Sequence, residues 1–167
     1  MQLALKERRE KVLRAMAAED ARIELCEEAA DKELWASLLG RADFVLCPYV
    51  AEHYMASYSA VAVEAIANAC PVVGPAGSTV EALIKEFGGA GAVFEPLEPA
   101  RVAAAAIALV DDFDRYATLG HEAAKIWPTR YGPRAAVDAV LKLAGLPAEV
   151  GAGRATPGRV GAAQDLR

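Results

Sequence analysis

The spacing of hydrophobic and polar positions changes twice along the chain. Residues 3–17 carry apolar side chains at helical spacing among charged ones, which predicts an amphipathic helix. From about residue 21 to residue 95, short apolar runs alternate with helical patterns, and after residue 99 the pattern is helical only. This order predicts an α/β fold, with a parallel sheet followed by C-terminal helices.

Four short apolar segments have the length and flanking residues of β-strands, and they cover residues 21–27, 43–49, 71–74 and 92–95. The second of them (DFVLCPY) is nearly continuous, as is typical of a strand buried on both faces of a parallel sheet. Helices are predicted after Asp31 and over residues 60–69, 78–87, 99–111, 113–126 and 133–144, and residues 50–59 are predicted to form a loop.

Local signals fix several helix starts. Asp31 is placed to cap one helix, and residues 78–81 (STVE) have the S-x-x-E form of a capping box. Ligands of parallel α/β sheets bind outside the carboxyl ends of the strands. Segments 50–60 and 74–78 follow two predicted strands and lead into helix N-termini, which favour anions such as phosphate.

Composition and charge exclude several classes of protein. The chain has 167 residues, 54% hydrophobic and 25% charged, which suits one globular domain and excludes global disorder. The net charge is −5, and the one basic run, within residues 6–14, is interleaved with Glu7 and Glu10. That run predicts a solvated helix face, so no nucleic-acid partner is expected.

No segment has the features of a leader peptide or a membrane span, because no apolar run approaches about 18 residues. Cys26, Cys47 and Cys70 show no CxxC spacing, which indicates free thiols of a cytoplasmic protein. His53 lies in the predicted ligand loop and His121 on a late helix. Neither has an acidic or thiol partner at a suitable spacing, so a Cys/His enzyme is not indicated.

Three segments together resemble the donor-site signature of the group 1 GT-B glycosyltransferases. They are residues 42–48 (ADFVLCP), 58–74 (YSAVAVEAIANACPVVG) and 77–81 (GSTVE). The resemblance extends over roughly residues 20–145. It implies an incomplete doubly wound, Rossmann-like parallel sheet of the GT-B donor-domain type, with C-terminal helices. The expected organisation is an N-terminal helix over residues 1–20, a partial donor-binding domain over 21–147 and a disordered Gly/Ala/Pro-rich tail over 148–167.

The same resemblance implies a nucleotide-sugar site. Glu64 matches the family glutamate that binds the ribose hydroxyls, a role that suits a carboxylate because it accepts two hydroxyl donors. The alternative for Glu64 is an ordinary solvated glutamate on a helix. Backbone amides at Tyr58, Ser59 and Ala60 are expected to face the donor sugar and phosphates.

The end of the signature places three more residues at the site. Gly77 and Ser78 match a Gly-Gly turn of the family, and Glu81 matches its final glutamate. The capping box gives Glu81 an alternative role as the acid of the helix start.

The chain departs from the family pattern at several positions. Ala56 stands eight residues before Glu64, where the family has the first glutamate of a pair, and Glu52 could replace it only across a four-residue insertion. Ser59, Ala69 and Ser78 stand where the family has glycine. Glycines allow close backbone approach to a ligand, so these replacements predict a loosened donor site.

A further departure lies at the N-terminus. The family domain begins with a strand ending in a Gly-Arg turn, then a helix that carries a lysine, then another strand, and the arginine and lysine neutralise the diphosphate. Residues 1–20 contain no such arrangement. Without those strands, we expect residues 21–27 to pair directly with 43–49, or a swapped dimer, or completion by a separate chain.

The sequence therefore predicts the nucleotide-sugar-binding part of a retaining glycosyltransferase, with no catalytic residue assigned and no activity alone. The resemblance implies no metal and no cofactor beyond the nucleotide-sugar donor. The expected partners are an N-terminal glycosyltransferase half or a second copy. Two alternatives stay open: a non-enzymatic scaffold or oligomerisation module that associates through an open sheet edge, and a sugar epimerase of the same architecture.

Overall fold

A computed structural model describes residues 2–27 and 29–146, with side chains from residue 10 onward. The tail 148–167, expected to be disordered, lies outside the described residues. The chain divides into two compact units, Met1–Asp43 and Phe44–Arg167, and each is described by itself.

The first unit contains the two predicted helices, α1 (Gln2–Glu19) and α2 (Lys32–Arg41). Asp31 caps α2 as predicted, since its carboxylate accepts the amide of Leu34 at 2.8 Å. The apolar side of α1 is exposed at Val12, Leu13 and Met16. The capping of α2 was therefore predictable from the sequence, whereas the exposure of the apolar side of α1 was not.

The strand predicted over residues 21–27 is wrong. This segment forms a turn at residues 21–22, and residues 23–27 belong to no helix or strand. Its charged side chains bond instead to groups of the same unit: Arg22 to Asp20, Glu24 to Arg41, and Glu27 to Arg14. An alternating pattern forms a strand only where a neighbouring strand pairs with its backbone amides and carbonyls. The expected direct pairing with residues 43–49 is wrong as well, because β-ladder pairing in that segment is with residues 72–73.

The second unit holds a three-stranded sheet, and its strands are β1 (Val45–Leu46), β2 (Val72–Pro75) and β3 (Gly91–Phe94). The order is β1-β2-β3 and both pairings are parallel, with Val45 opposite Val72 and Val72 opposite Gly91. The expected α/β class is confirmed at this level, as a small open parallel sheet compatible with part of a Rossmann-like fold.

The helices of this unit agree with the predictions within two residues at each end, except that α6 continues past Pro128 to Tyr131, five residues beyond its predicted end. They are α3 (Ala60–Ala67), α4 (Thr79–Glu86), α5 (Pro99–Asp111), α6 (Phe113–Tyr131) and α7 (Pro133–Leu143). Two expectations need correction. The strand over 43–49 is reduced to the two residues of β1, and the loop over 50–59 contains a 3₁₀ helix, Ala51–Tyr54.

The central strand β2 is buried along its whole length, and helices cover both of its faces. On one face Val73, Phe94 and Leu109 form a core cluster that joins β2, β3 and α5. Elsewhere on the strand Gly74 lies against Val80 of α4, where an added Cβ would come within 2.4 Å of a valine methyl. The absence of a side chain at Gly74 thus allows α4 to pack close to the strand.

The end of α3 shows an unexpected backbone conformation. Ala69 has a φ of +64°, the left-handed region that favours glycine. The amides of Ala69 and Cys70 donate to the carbonyls of Ile66 and Ala65, which is the Schellman pattern of a helix C-terminus. Since α3 ends away from the carboxyl edge of the sheet, the interpretation of Ala69 as a position of close ligand approach is wrong. A glycine suits this position because of the helix end.

We expect Ala69→Gly to raise the free energy of unfolding by about 1 kcal/mol, because it relieves a left-handed alanine. Urea unfolding followed by circular dichroism measures the change. Gly88→Ala is the matched control, because Gly88 ends α4 in the same motif with a φ of +74° and open space around its Cα. That change is expected to lower stability by about as much. A loss of stability in Ala69→Gly would contradict the assignment.

Candidate functional site

The carboxyl ends of the three parallel strands lie at one edge of the sheet, and each is followed by a turn that leads toward a helix. The turns cover residues 47–59 before α3, 76–78 before α4 and 95–98 before α5. Both segments predicted to bind ligand, around Tyr58 and around Gly77, therefore lie at this edge.

Ser59 is the N-cap of α3, and it is nearly buried. Its Oγ accepts the amide of Ala62 at 3.2 Å and donates to the hydroxyl of Tyr49 at 3.3 Å. The serine thus organises the turn with its side chain, where a glycine would leave α3 without a side-chain cap.

A second serine, Ser78, is the N-cap of α4. Ser78 Oγ accepts the amides of Val80 and Glu81 and donates to the carbonyl of Pro75 at 2.7 Å. Glu81 accepts the amide of Gly77 at 2.7 Å and pairs with Lys85 at 2.7 Å. Lys85 and the Gly77 amide hold the pKa of Glu81 below its usual range. Glu81 therefore helps to cap the start of α4. Its carboxylate accepts the amide of Gly77, whereas the acid of a standard capping box accepts the amide of the N-cap residue, here Ser78.

One hydrogen bond joins the two turns. Thr79 Oγ1 donates to the carbonyl of Ser57 at 2.7 Å, across 22 residues of sequence. It fixes the loop before α3 against the first turn of α4, so the N-termini of the two helices are held together. Sequence patterns did not indicate this contact, because Thr79 had been noted only within a capping box.

The remaining predicted residues are exposed at this edge. The side chain of Tyr58 is open to solvent, with 63% exposure, and Ala60 begins α3 with an exposed side chain. Glu64 lies in the second turn of α3, also exposed, and its carbonyl accepts the amide side chain of Asn68 at 2.8 Å. The structure thus brings the 57–60 and 77–81 segments together, with Glu64 one turn further along α3.

Tyr49 is a site residue that the sequence did not indicate. It follows β1, its ring stacks on Tyr54 with centroids 4.4 Å apart, and its hydroxyl accepts a hydrogen bond from Ser59. Burial raises the pKa of Tyr49 to about 12, so the phenol is neutral at pH 7. Burial also raises the pKa of the neighbouring Cys47, which makes it a packing residue rather than a nucleophile.

The charge of this edge is unfavourable for a diphosphate. Residues 47–60 and 75–81 contain no lysine or arginine. Lys85, in the last turn of α4, is engaged by Glu81. Positive potential at this edge therefore comes mainly from the amides at the starts of α3 and α4.

Comparisons with known proteins give no family. No family model matches the chain, and neither a curated protein nor a solved structure was found to be similar. Among the described residues, none of the helices is both long enough and apolar enough to cross a bilayer. In the same part of the chain, no three His, Cys, Asp or Glu side chains are grouped to hold a metal ion.

Proposed function

We propose that this chain is the nucleotide-sugar-binding part of a retaining glycosyltransferase of the GT-B type, and that it binds the donor without transferring its sugar alone. The observation that supports the proposal is the Thr79–Ser57 hydrogen bond. This bond joins the two turns that resemble the family signature at one edge of the sheet, although 22 residues separate its partners in sequence.

In this proposal the exposed carboxylate of Glu64 accepts hydroxyls of the ribose, and backbone amides of residues 58–60 face the phosphates. The amide of Gly77 donates to Glu81, so Gly77 contributes its left-handed turn rather than a donor to the ligand. Ser59 and Ser78 use their hydroxyls as helix caps, so they also act by shaping the turns.

Binding without turnover follows from electrostatics. Release of a nucleoside diphosphate builds negative charge on the leaving group, and removal of one stabilising donor typically costs about 100-fold or more in rate. No lysine or arginine lies in the two turns, and Ala56 stands where the family has a glutamate. In this proposal the positive groups come from outside the two turns, for example from an N-terminal glycosyltransferase half or from another copy of this chain.

Calorimetric titration with UDP, GDP and their sugars tests the proposal. Glu64→Gln is expected to weaken nucleotide binding about tenfold, because hydrogen bonds to a charged acceptor contribute about 1.5–3 kcal/mol. Glu122→Gln removes an exposed glutamate of α6 that pairs with Lys125, and it should leave the affinity unchanged. A folded wild-type chain that binds no nucleotide at millimolar concentration would refute the proposed function.

A non-enzymatic scaffold is the second candidate, and one observation favours it. β1 lies at the edge of the sheet, Leu46 is 42% exposed, and beside it lies an apolar cavity of about 440 Å³ lined also by Pro48, Leu97 and Val102. Open sheet edges associate by strand addition. Sedimentation velocity across concentrations, with and without nucleotide, distinguishes nucleotide-independent association from donor binding.

A further inference from the structure

Strand β1 has one open side. Within the described residues, β1 pairs only with β2. The amides of Val45 and Cys47 donate to the carbonyls of residues 71 and 73, at 2.9 and 2.8 Å. Because successive residues of a strand present their amides and carbonyls to opposite sides, the amide and carbonyl of Leu46 point away from β2. The outer side of β1 therefore offers hydrogen bonds to a further strand.

An apolar groove lies beside this open side. The edge groove, as we name the cavity of about 440 Å³ next to Leu46, is lined also by Pro48, Leu97, Val102 and Ala103, and its described lining carries no charged side chain. Leu46 is in register with Val73 of the core cluster, so it lies on the sheet face that α5 covers. Every second side chain of a strand added outside β1 would face the groove.

The helix α5 is apolar on its outer side as well as on the side that packs against the sheet. Residues 102–110 (VAAAAIALV) contain no polar or charged side chain. Leu109 is fully buried, whereas Ile107 and Val110 are more than half exposed. Ala103, Ile107 and Val110 recur at intervals of four and three residues, so they lie on one side of α5 and extend the edge groove along it. A helix that is apolar all round is typical of one that is covered on both sides.

The hydrogen-bonding groups on the outer side of β1 are complementary to those of a second β1. In antiparallel pairing about a two-fold axis at Leu46, the Leu46 residues of the two copies exchange a pair of N–H···O bonds. The amide of Phe44 in each copy then lies opposite the carbonyl of Pro48 in the other. Pro48 has no amide hydrogen, so the ladder loses only a bond to the carbonyl of Phe44 at each end. Both outward donors of the strand find acceptors in this register.

The same axis joins the two edge grooves. An axis normal to the sheet keeps the α5 of each copy on the same face, so the two grooves open onto one another with both Leu46 side chains between them. None of the described lining side chains brings a charge into this contact, and the cores of protein interfaces are typically depleted of charge. A second copy thus satisfies the strand edge and covers the apolar groove together.

We propose that the outer side of β1 and the edge groove bind a second copy of this chain, in a two-fold dimer whose six strands form one continuous sheet. The proposal rests on the scaffold candidate, for which it names the partner, and it does not require nucleotide binding. The contact centres on one short strand and one groove, which is small for a permanent dimer. We therefore expect a dissociation constant on the order of 10 µM.

Sedimentation velocity of the full chain, from low micromolar to several hundred micromolar concentration, is expected to show a shift from monomer to dimer. Ala103→Glu places a carboxylate from each copy in the joined grooves, and it is expected to weaken the dimer at least about thirtyfold. Ala108→Glu is the matched control, because Ala108 is exposed on the same helix and does not line the groove. It should leave the dissociation constant unchanged, and circular dichroism checks that both variants fold.

Disulfide cross-linking tests the register of the two strands. Residues that form a hydrogen-bonded antiparallel pair have Cα atoms about 5.5 Å apart, within the range of a disulfide. Leu46→Cys, in a Cys26→Ser background that removes the exposed native thiol, is therefore expected to give a covalent dimer on mild oxidation. Val93→Cys in the same background is the control, because Val93 is 40% exposed on β3 at the opposite edge of the sheet. It should remain monomeric on a denaturing gel.

The outcomes separate this proposal from nucleotide binding. A folded wild-type chain that stays monomeric throughout the concentration range overturns the dimer, even if its open edge captures a strand of another protein, and leaves the nucleotide site to be judged by titration. A dimer that persists in Ala103→Glu, or that cross-links equally through Val93→Cys, forms through a different surface and also overturns the proposal. A dimer with the expected pattern that binds no nucleotide supports the proposal and refutes the nucleotide-sugar function.

Discussion

Replacement of Leu109 by alanine is expected to lower the free energy of unfolding by about 3 kcal/mol, the usual range for deletion of a fully buried leucine side chain. Leu109 has 0% exposure and joins α5 to Val73 and Phe94 of the sheet. The change removes apolar contact from both strands and leaves a cavity that the sheet cannot fill without moving. Urea unfolding followed by circular dichroism measures the loss.

Ile107→Ala is the control for this prediction. Ile107 lies two residues earlier on α5 and has 59% exposure, so its truncation should cost well under about 1 kcal/mol. Equal losses for the two variants would show that α5 does not pack through Leu109.

Gly120→Ala is expected to lower stability by about 2 kcal/mol, because an added methyl has no room. A Cβ at Gly120 would lie 2.4 Å from the carbonyl oxygen of Ala69, a backbone atom that cannot rotate away. The substitution forces α6 away from the end of α3, and the lower midpoint of thermal unfolding measures the cost.

The matched change at Gly40 should have the opposite sign. Gly40 lies within α2, and an added Cβ there would meet nothing within 4 Å. Gly40→Ala is therefore expected to stabilise by about 0.5–1 kcal/mol through helix propensity alone. If both alanines stabilise the protein, the close contact between α6 and Ala69 does not exist in solution.

The proposed nucleotide binding rests on Glu64 and on amides at the starts of α3 and α4, so we expect it to weaken when Thr79 can no longer hold Ser57.

Features decided by neighbouring residues were predictable from the sequence alone. Asp31 and Ser78 accept amides two or three residues away, so their capping roles follow from residue type and spacing. Pro99 begins α5, and the apolar run over 71–74 marks the buried strand β2 within a residue. The existence of most helices and the parallel α/β class belong to the same group, because their signals repeat within short windows.

Features that depend on residues far apart in the sequence were not predictable from the sequence alone. The alternation over residues 21–27 resembled a strand, but a strand needs a partner, and none of the strands in the described part of the chain pairs with this segment. The Thr79–Ser57 bond brings together turns that follow two different strands. The candidate site residues could be proposed from residue type and motif, while their grouping depended on the tertiary structure, because only a folded sheet brings the ends of its strands to one edge.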